Sequence, residues 1–404
     1  MSERDTPAEQ PTQPQAMGLS RNVIVLGLVS FFTDVHSEML MPLLPGFFRH
    51  VLRLNKTSIG IVEGVADATA SLTKVVSGWW SDLAAVRKPF VIAGYTLSAA
   101  SKPLFAFIQS GLQAVGVRFA DRLGKGLRTS PRDALIADSS PQERRGSAFG
   151  FHRMADTSGA ILGTVLAYVL LEAFAQDYRR VFLWATVPGV LAVLTLIAGT
   201  REVPLAQAVR RRLLSLEGYD PRFVLFLIAH TTFSLGNFTY AFFLLRTQEL
   251  GVAEKLAPII YLVYNIVYAL WAWPAGALSD RYPKRLLIIL AYGSYAATCL
   301  GLAAGSQPIH AWLLFVLYGI HSGTVEPVVR AVAADLVQRE RRGTGLGLFH
   351  TLVGVAALPA SIIAGLLADH VGPTAPFVFG AACALLGAIL MWLALHARQP
   401  SRSP

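Results

Sequence analysis

The segment Gly78-Trp79-Trp80-Ser81-Asp82 returns 198 positions later as Gly276-Ala277-Leu278-Ser279-Asp280. Two further echoes keep the same spacing. Asp138 followed by Arg144-Arg145-Gly146 returns as Asp335 followed by Arg341-Arg342-Gly343, at an offset of 197. Phe151-His152 returns as Phe349-His350, at an offset of 198. A period close to half of a 404-residue chain means two homologous halves in tandem.

What surrounds the repeat sets the solvent. Apolar residues make up 53% of the chain and charged residues only 15%, with a mean hydropathy of +0.49. A water-soluble domain averages roughly 45–50% apolar and about 25% charged. An ordinary soluble enzyme and a disordered protein are therefore excluded, and the bilayer becomes the natural environment. The net charge of +10 is not that of a nucleic-acid binder, because no basic patch is interleaved with aromatics on a polar domain. Cys299 and Cys383 sit in apolar runs and read as free thiols.

A helix crosses the roughly 30 Å hydrocarbon layer in about 20 residues. Twelve stretches qualify: 22–45, 58–81, 89–109, 112–136, 147–171, 179–199, 221–245, 256–279, 285–305, 309–334, 343–368 and 374–396. The first, second and fourth carry charges, and the repeat requires them as spans. With both termini on the cytoplasmic side, inner segments hold 19 Lys and Arg and outer segments 7. That bias selects this orientation. The predicted fold is an all-α integral membrane protein of twelve transmembrane helices in two pseudo-symmetric six-helix bundles. The bundles cover 22–199 and 221–397. A cytoplasmic linker at 200–220 joins them, and tails occupy 1–21, expected to be disordered, and 398–404.

Charges inside spans need a reason, since one at the bilayer centre costs at least roughly 2.5–3.5 kcal/mol on insertion scales. In the first span Asp34 and Glu38 are four apart and share a helical face. Neighbouring carboxylates raise each other's proton affinity, so this face is a candidate for carrying a coupling proton. In the second span Glu63, Asp67 and Lys74 share a face; Lys74 can snorkel to the inner surface. Lys102 lies in an apolar run and needs a partner. Arg118, Arg122 and Lys125 line one face of the fourth span, with Asp121 and Lys125 an i, i+4 pair. Such a face either holds an anion or neutralises acids of other helices. His152, Arg153 and Asp156 follow an inner loop, which favours a gate. In the second half Asn237, Tyr240, Tyr264, Asn265, His321, Glu326 and Arg330 are candidates for a cavity wall, with Glu326 and Arg330 able to pair with each other. His230 and the aromatics Tyr261, Tyr268, Trp271 and Trp273 are further candidates, although such stripes often only pack helices or mark an interface.

These residues resemble the major facilitator superfamily over nearly the whole chain. Its signature after the second helix is Gly-x-x-x-Asp-(Arg/Lys)-x-Gly-(Arg/Lys)-(Arg/Lys). Gly78 and Asp82 match it; Leu83 replaces the first cation, and Arg87-Lys88 arrives one residue late. Gly276, Asp280, Arg281, Lys284 and Arg285 match more fully. The resemblance implies a cytoplasmic gate built from these residues together with Asp138 and Arg145, in which Asp82 and Asp280 pair with cations or helix ends on the opposite half. Arg118, Gly124, Gly126 and Asp138 fall at the family's fourth-helix positions. The run Gly124-Lys125-Gly126-Leu127-Arg128, continuing to Pro131-Arg132-Asp133, is similar to a subfamily of bacterial permeases. By resemblance Arg118 is a proton-coupling candidate. Gly159 and Gly163 resemble an exporter pattern in which Thr164 replaces a proline, and a small-x-x-x-small pair also simply packs helices.

The resemblance implies a secondary transporter that moves a small polar or amphipathic solute across the inner (plasma) membrane by alternating access. Proton-coupled efflux by antiport is the favoured form. Proton symport of a small anion or metabolite is the alternative, and metal-ion efflux through Asp34, His36 and Glu38 a weaker one, because these three do not share a face. No Gly-x-x-x-x-Gly-Lys-(Ser/Thr) loop, nucleophile elbow or His-Glu-x-x-His motif occurs. An enzyme is therefore not expected, nor a cofactor or resident metal. The expected partners are a small-molecule substrate, protons and lipid, with no nucleic acid and the chain acting as a monomer.

Overall fold

The computed structural model describes residues 15–16, 18–54, 56–205, 219–253 and 256–396. Most of the expected linker, and the tail at 398–404, lie outside the described residues. Of the expected N-terminal tail, Gln15–Ala16 and Leu19–Ser20 instead pair as a two-residue antiparallel ribbon. Arg144 ties it down by donating to the Gly18 carbonyl, 2.6 Å away.

The first half contains α1 (Arg21–Glu38), α2 (Lys56–Leu83), α3 (Lys88–Ser101), α4 (Gly111–Asp138), α5 (Arg145–Ala173) and α6 (Tyr178–Gly199). The second contains α7 (Pro221–Gly236), α8 (Ala257–Arg281), α9 (Lys284–Ala304), α10 (Pro308–Asp335), α11 (Arg342–His370) and α12 (Ala375–His396). Starts are written in the sequence. Ser110 and Gln113 form a capping box on α4, and Asp177 and Asp220 accept backbone N–H bonds at the starts of α6 and α7. Within the first half α1 packs on α5 and α6, and α4 on α2 and α3. Within the second, α7 packs on α12, α8 on α10, and α9 on both α10 and α12. The halves meet where α5 crosses α8 and α2 crosses α11. Those two crossings exchange under the 198-residue repeat.

Among the described residues, α5, α6 and α8 to α12 are long and apolar enough to span a membrane by composition alone. The remaining helices are carried by packing, because charge or a break lowers their hydropathy. The expected span 22–45 stops being helical at Glu38, where Pro42 and Pro45 remove backbone donors, and a turn leads to a π-turn at Phe47–Val51. The span 221–245 breaks at Asn237 and resumes at Tyr240–Glu249. The span 89–109 tightens at Pro103 into a 3-10 turn, Lys102–Ala106.

Glycine sets how close the halves come. A Cβ on Gly78 would collide with the Gly343 carbonyl, and one on Gly146 with the Gly276 carbonyl and Ser279. The repeated glycines therefore allow two backbone-to-backbone crossings, one at each pseudo-symmetric site. Gly159 and Gly163 do the same inside the first half. Their missing side chains leave room for the backbone of Phe31 and Val35 on α1.

Candidate substrate chamber and gate

Asp82 ends α2 and accepts from the backbone N–H of Gly343 (3.1 Å) and Thr344 (2.6 Å), at the start of α11 in the other half. Asp280 ends α8 and accepts from the N–H of Gly146 and Ser147 (both 2.8 Å), at the start of α5. The hydroxyls of Thr344 and Ser147 complete each set. A carboxylate at a helix N-terminus meets unsatisfied donors and the positive end of the dipole. Each repeated aspartate thus caps a helix of the opposite half.

A second pair of aspartates closes the same face. Asp138 pairs with Arg342 and Asp335 with Arg145, again across the halves. Lys284 joins Asp335 at 2.6 Å from within its own half. Arg87 is fully buried; it bonds Ser81 and Asp82 and lies 3.6 Å from Asp138. Not every expected gate residue bridges the halves. Lys88 donates to the Thr200 carbonyl at the end of α6, Arg281 is exposed, and Arg285 contacts His396 within its own half. Glu202, which no motif singled out, accepts from the backbone N–H of Arg87 and Lys88 and so fixes the loop that presents Arg87.

Above this latch lies a charged floor. Asp133 accepts from His350 Nε2 (2.8 Å) and pairs with Arg132 (2.8 Å), with Arg330 at 4.0 Å. Arg330 pairs with Glu326 (2.9 Å), Glu326 stands 3.7 Å from Arg153, and Arg153 pairs with Asp156, which accepts from Ser30. This string of alternating charge runs through α11, α4, α10, α5 and α1. The outermost hydrogen bonds between the halves, among the described residues, are Arg153 to the Tyr268 hydroxyl and the Thr351 hydroxyl to the Ser71 carbonyl.

Beyond that level the halves enclose a cavity of about 470 Å³. Asp34 and Glu38 stand on its α1 wall, and Asp121, Arg122, Lys125 and Arg128 on its α4 wall. Lys74 also lines it, so this side chain does not snorkel to the inner surface. The second half contributes Asn265 and a ladder of rings, Tyr261, Tyr264 and Tyr268, with centroids 5.6 and 5.9 Å apart. Lys102 finds its partner in Asp121 at 2.7 Å. Arg153 and Asp156, expected at the gate, line the chamber as well.

Several candidates stand elsewhere. Arg118 is buried between Met41 (3.0 Å) and Asp121 (3.5 Å), behind the α4 wall. Asn237 and Tyr240 border a smaller pocket that Tyr261 and Tyr264 share. His321 donates to the Ala291 carbonyl, and His230 bonds the Tyr292 hydroxyl, so both belong to the aromatic core. His36 donates to the Ala185 carbonyl, against α6 and turned from Asp34 and Glu38. Trp271 bonds Thr324, and Trp273 packs on Phe151. Cys299 is buried and Cys383 half-buried, both free. The side chains of Glu63 and Asp67 lie outside the described residues. Asp133, Arg132, Arg128 and His350 escaped selection because they occupy the inner, motif-bearing turns of α4 and α11. Their signals were the permease-like run through Asp133 and the Phe349-His350 echo, neither of which says what the side chains face.

Residues 26–244 and 223–404 each match the family model for the Major Facilitator Superfamily. An uncharacterised MFS-type transporter of Methanocaldococcus jannaschii is 36% identical over 380 residues, covering 92% of this chain and 94% of that one. The multidrug resistance protein MdtH of Aeromonas hydrophila is 21% identical over 352 residues, covering 85% and 87%. Among solved structures, the human organic anion transporter MFSD10 matches with a TM-score of 0.76 at 18% identity, covering 92% of this chain and 99% of that one. FucP in the outward conformation matches with a TM-score of 0.75 at 13% identity, covering 92% and 98%. At these identities the structural likeness is one of fold.

Proposed function

The chain belongs to the major facilitator superfamily, a multi-pass membrane transporter rather than an enzyme, and on that premise we propose proton-coupled export of a small polar or amphipathic solute by alternating access. The observation that carries this reading is the charged chamber between the halves, closed on one face by paired latches. Breaking the latches while the opposite rims come together would expose the same chamber to the other side. The Lys/Arg bias assigns the latched face to the cytoplasm. In that frame the protein stands open to the outside, with both termini within and bundles at 22–199 and 221–397 around a linker at 200–220. The chain works as a monomer, because both halves of the chamber come from one chain.

Proton coupling rests on Asp34 and Glu38. They share a face of α1, line the chamber and look onto the cations of α4. A proton bound by either carboxylate removes a negative charge that faces those cations, which links protonation to the wall's charge. The efflux direction is supported by relatives named as multidrug resistance proteins. Gly159 and Gly163 pack against α1, a contact that suits an exporter's fifth helix and plain helix packing alike. A second reading, proton symport of an anion, is favoured by the excess of cations on the wall.

The test is flux in oriented proteoliposomes carrying an imposed pH gradient. Solute moving opposite to the proton gradient supports antiport, and movement with it supports symport. Full flux that ignores the gradient would remove the coupling.

A further inference from the structure

We infer that the solute is an organic anion whose acidic head docks between Lys74, Lys125 and Arg128 and whose body lies against the tyrosine ladder of α8. This deepens the transport reading and rests on it. Among the described residues the chamber wall carries eight Lys or Arg and four Asp or Glu. Four of those cations have carboxylate partners close by: Lys102 with Asp121, Arg153 with Asp156, Arg132 with Asp133, and Arg330 with Glu326. Arg122 reaches Asp121 at 4.0 Å. Lys74, Lys125 and Arg128 have no carboxylate within that distance among the described residues.

Arg128 carries a second, independent observation. Its side chain is only 5% exposed, yet its Nε and Nη1 find no acceptor among the described residues. The guanidinium lies over the Tyr95 ring at 4.4 Å, which orients the cation without using its N–H groups. The guanidinium borders the chamber while its Nε and Nη1 lie just beneath the surface, so an acid docking there draws the side chain out to make charge-assisted N–H bonds. Lys125 is three residues away on the same face of α4 and is exposed to the chamber. Lys74 is brought alongside because α2 and α4 pack tightly. Ser130 donates to the Lys74 carbonyl at 2.8 Å and Ser77 to the Gly126 carbonyl at 2.9 Å. A single anionic head can therefore meet cations from two helices. Across the chamber Tyr261, Tyr264 and Tyr268 offer ring faces and edges instead of charge. A volume of about 470 Å³ suits a small organic molecule.

The experiment uses the full chain in nanodiscs with four matched probes: benzoate, benzylphosphonate, benzylammonium and benzyl alcohol, with inorganic phosphate as a fifth. Apparent affinity is read from the ligand-dependent rise in unfolding temperature. Benzoate or benzylphosphonate should bind at least about tenfold tighter than the cation or the alcohol, roughly the 1.4 kcal/mol that separates decades of affinity. Arg128→Gln should abolish that preference, and Arg128→Lys should restore part of it. The unliganded melting temperature and elution volume of each variant check that it is folded. Equal binding of the charge-reversed probe, no response to any probe, or an unchanged preference in Arg128→Gln overturns the assignment. Inorganic phosphate binding as tightly as benzylphosphonate removes the organic body. Proton release on ligand binding is followed in parallel. Release driven by benzylammonium would leave proton-coupled transport standing and remove the anion.

Discussion

Asp34 and Asp121 show how one residue type does two jobs in one chamber. Asp121 accepts from Lys102 and Ser98 (2.6 Å) and is almost wholly buried, so its charge is spoken for. Asp34 is only half-buried and faces the open volume. Asp34→Asn is therefore expected to lower pH-driven flux at least about tenfold, the effect of losing an intramembrane proton site. Solute counterflow without a gradient should persist; pH-driven flux at the wild-type level would release Asp34 from coupling. Lys102→Met has a different signature. Removing one partner of a buried pair costs roughly 3–5 kcal/mol, and Arg118 and Arg122 beside Asp121 place this case at the low end. A clear fall in unfolding temperature is expected, and an unchanged one would mean that Asp121 is satisfied without Lys102.

At the scale of the helix, the four crossing glycines define how the halves close. A Cβ at Gly146 or Gly343 would meet a backbone carbonyl of the opposite half, which cannot rotate away. Overpacking of this kind costs about 1–3 kcal/mol. Gly146→Val and Gly343→Val should hold the latched face ajar, so that a cysteine introduced there reacts faster with a membrane-impermeant thiol reagent. Gly116→Val is the control, because a Cβ there meets nothing within 4 Å. Equal labelling of all three variants would show that the crossings tolerate bulk.

For the molecule as a whole, the two latches share no partner, so their contributions should add. Each repeated aspartate accepts backbone N–H bonds from the other half, and a hydrogen bond to a charged group contributes about 1.5–3 kcal/mol. Asp82→Asn or Asp280→Asn alone should raise the population open on the latched face about tenfold, since about 1.4 kcal/mol shifts an equilibrium by a decade. The double variant should compound the two effects. Thiol accessibility on both faces measures this, and identical accessibility in single, double and parent proteins would mean that the latches do not control the conformation.

The amino-acid order was enough for the membrane class, the halves and the repeated Gly–Asp motif, because hydropathy and periodicity are local properties of a chain. It also marked Asp34, Glu38, Asp121, Arg122 and Lys125, because charge inside a stretch that the repeat requires as a span is conspicuous wherever it lies. Pairing was another matter. The family resemblance pointed Asp82 at a cation or helix end of the opposite half, but nothing local tells that the helix is the one beginning at Arg342, that Lys102 belongs to Asp121, or that Asp133 meets His350 more than two hundred residues away. Nor could spacing separate Tyr264, on the chamber wall, from His321, in the core. Those distinctions depend on which helix faces turn toward each other. Only the packing of the two bundles decides that, because a helix carries its side chains all the way round and its neighbours select the side that is used.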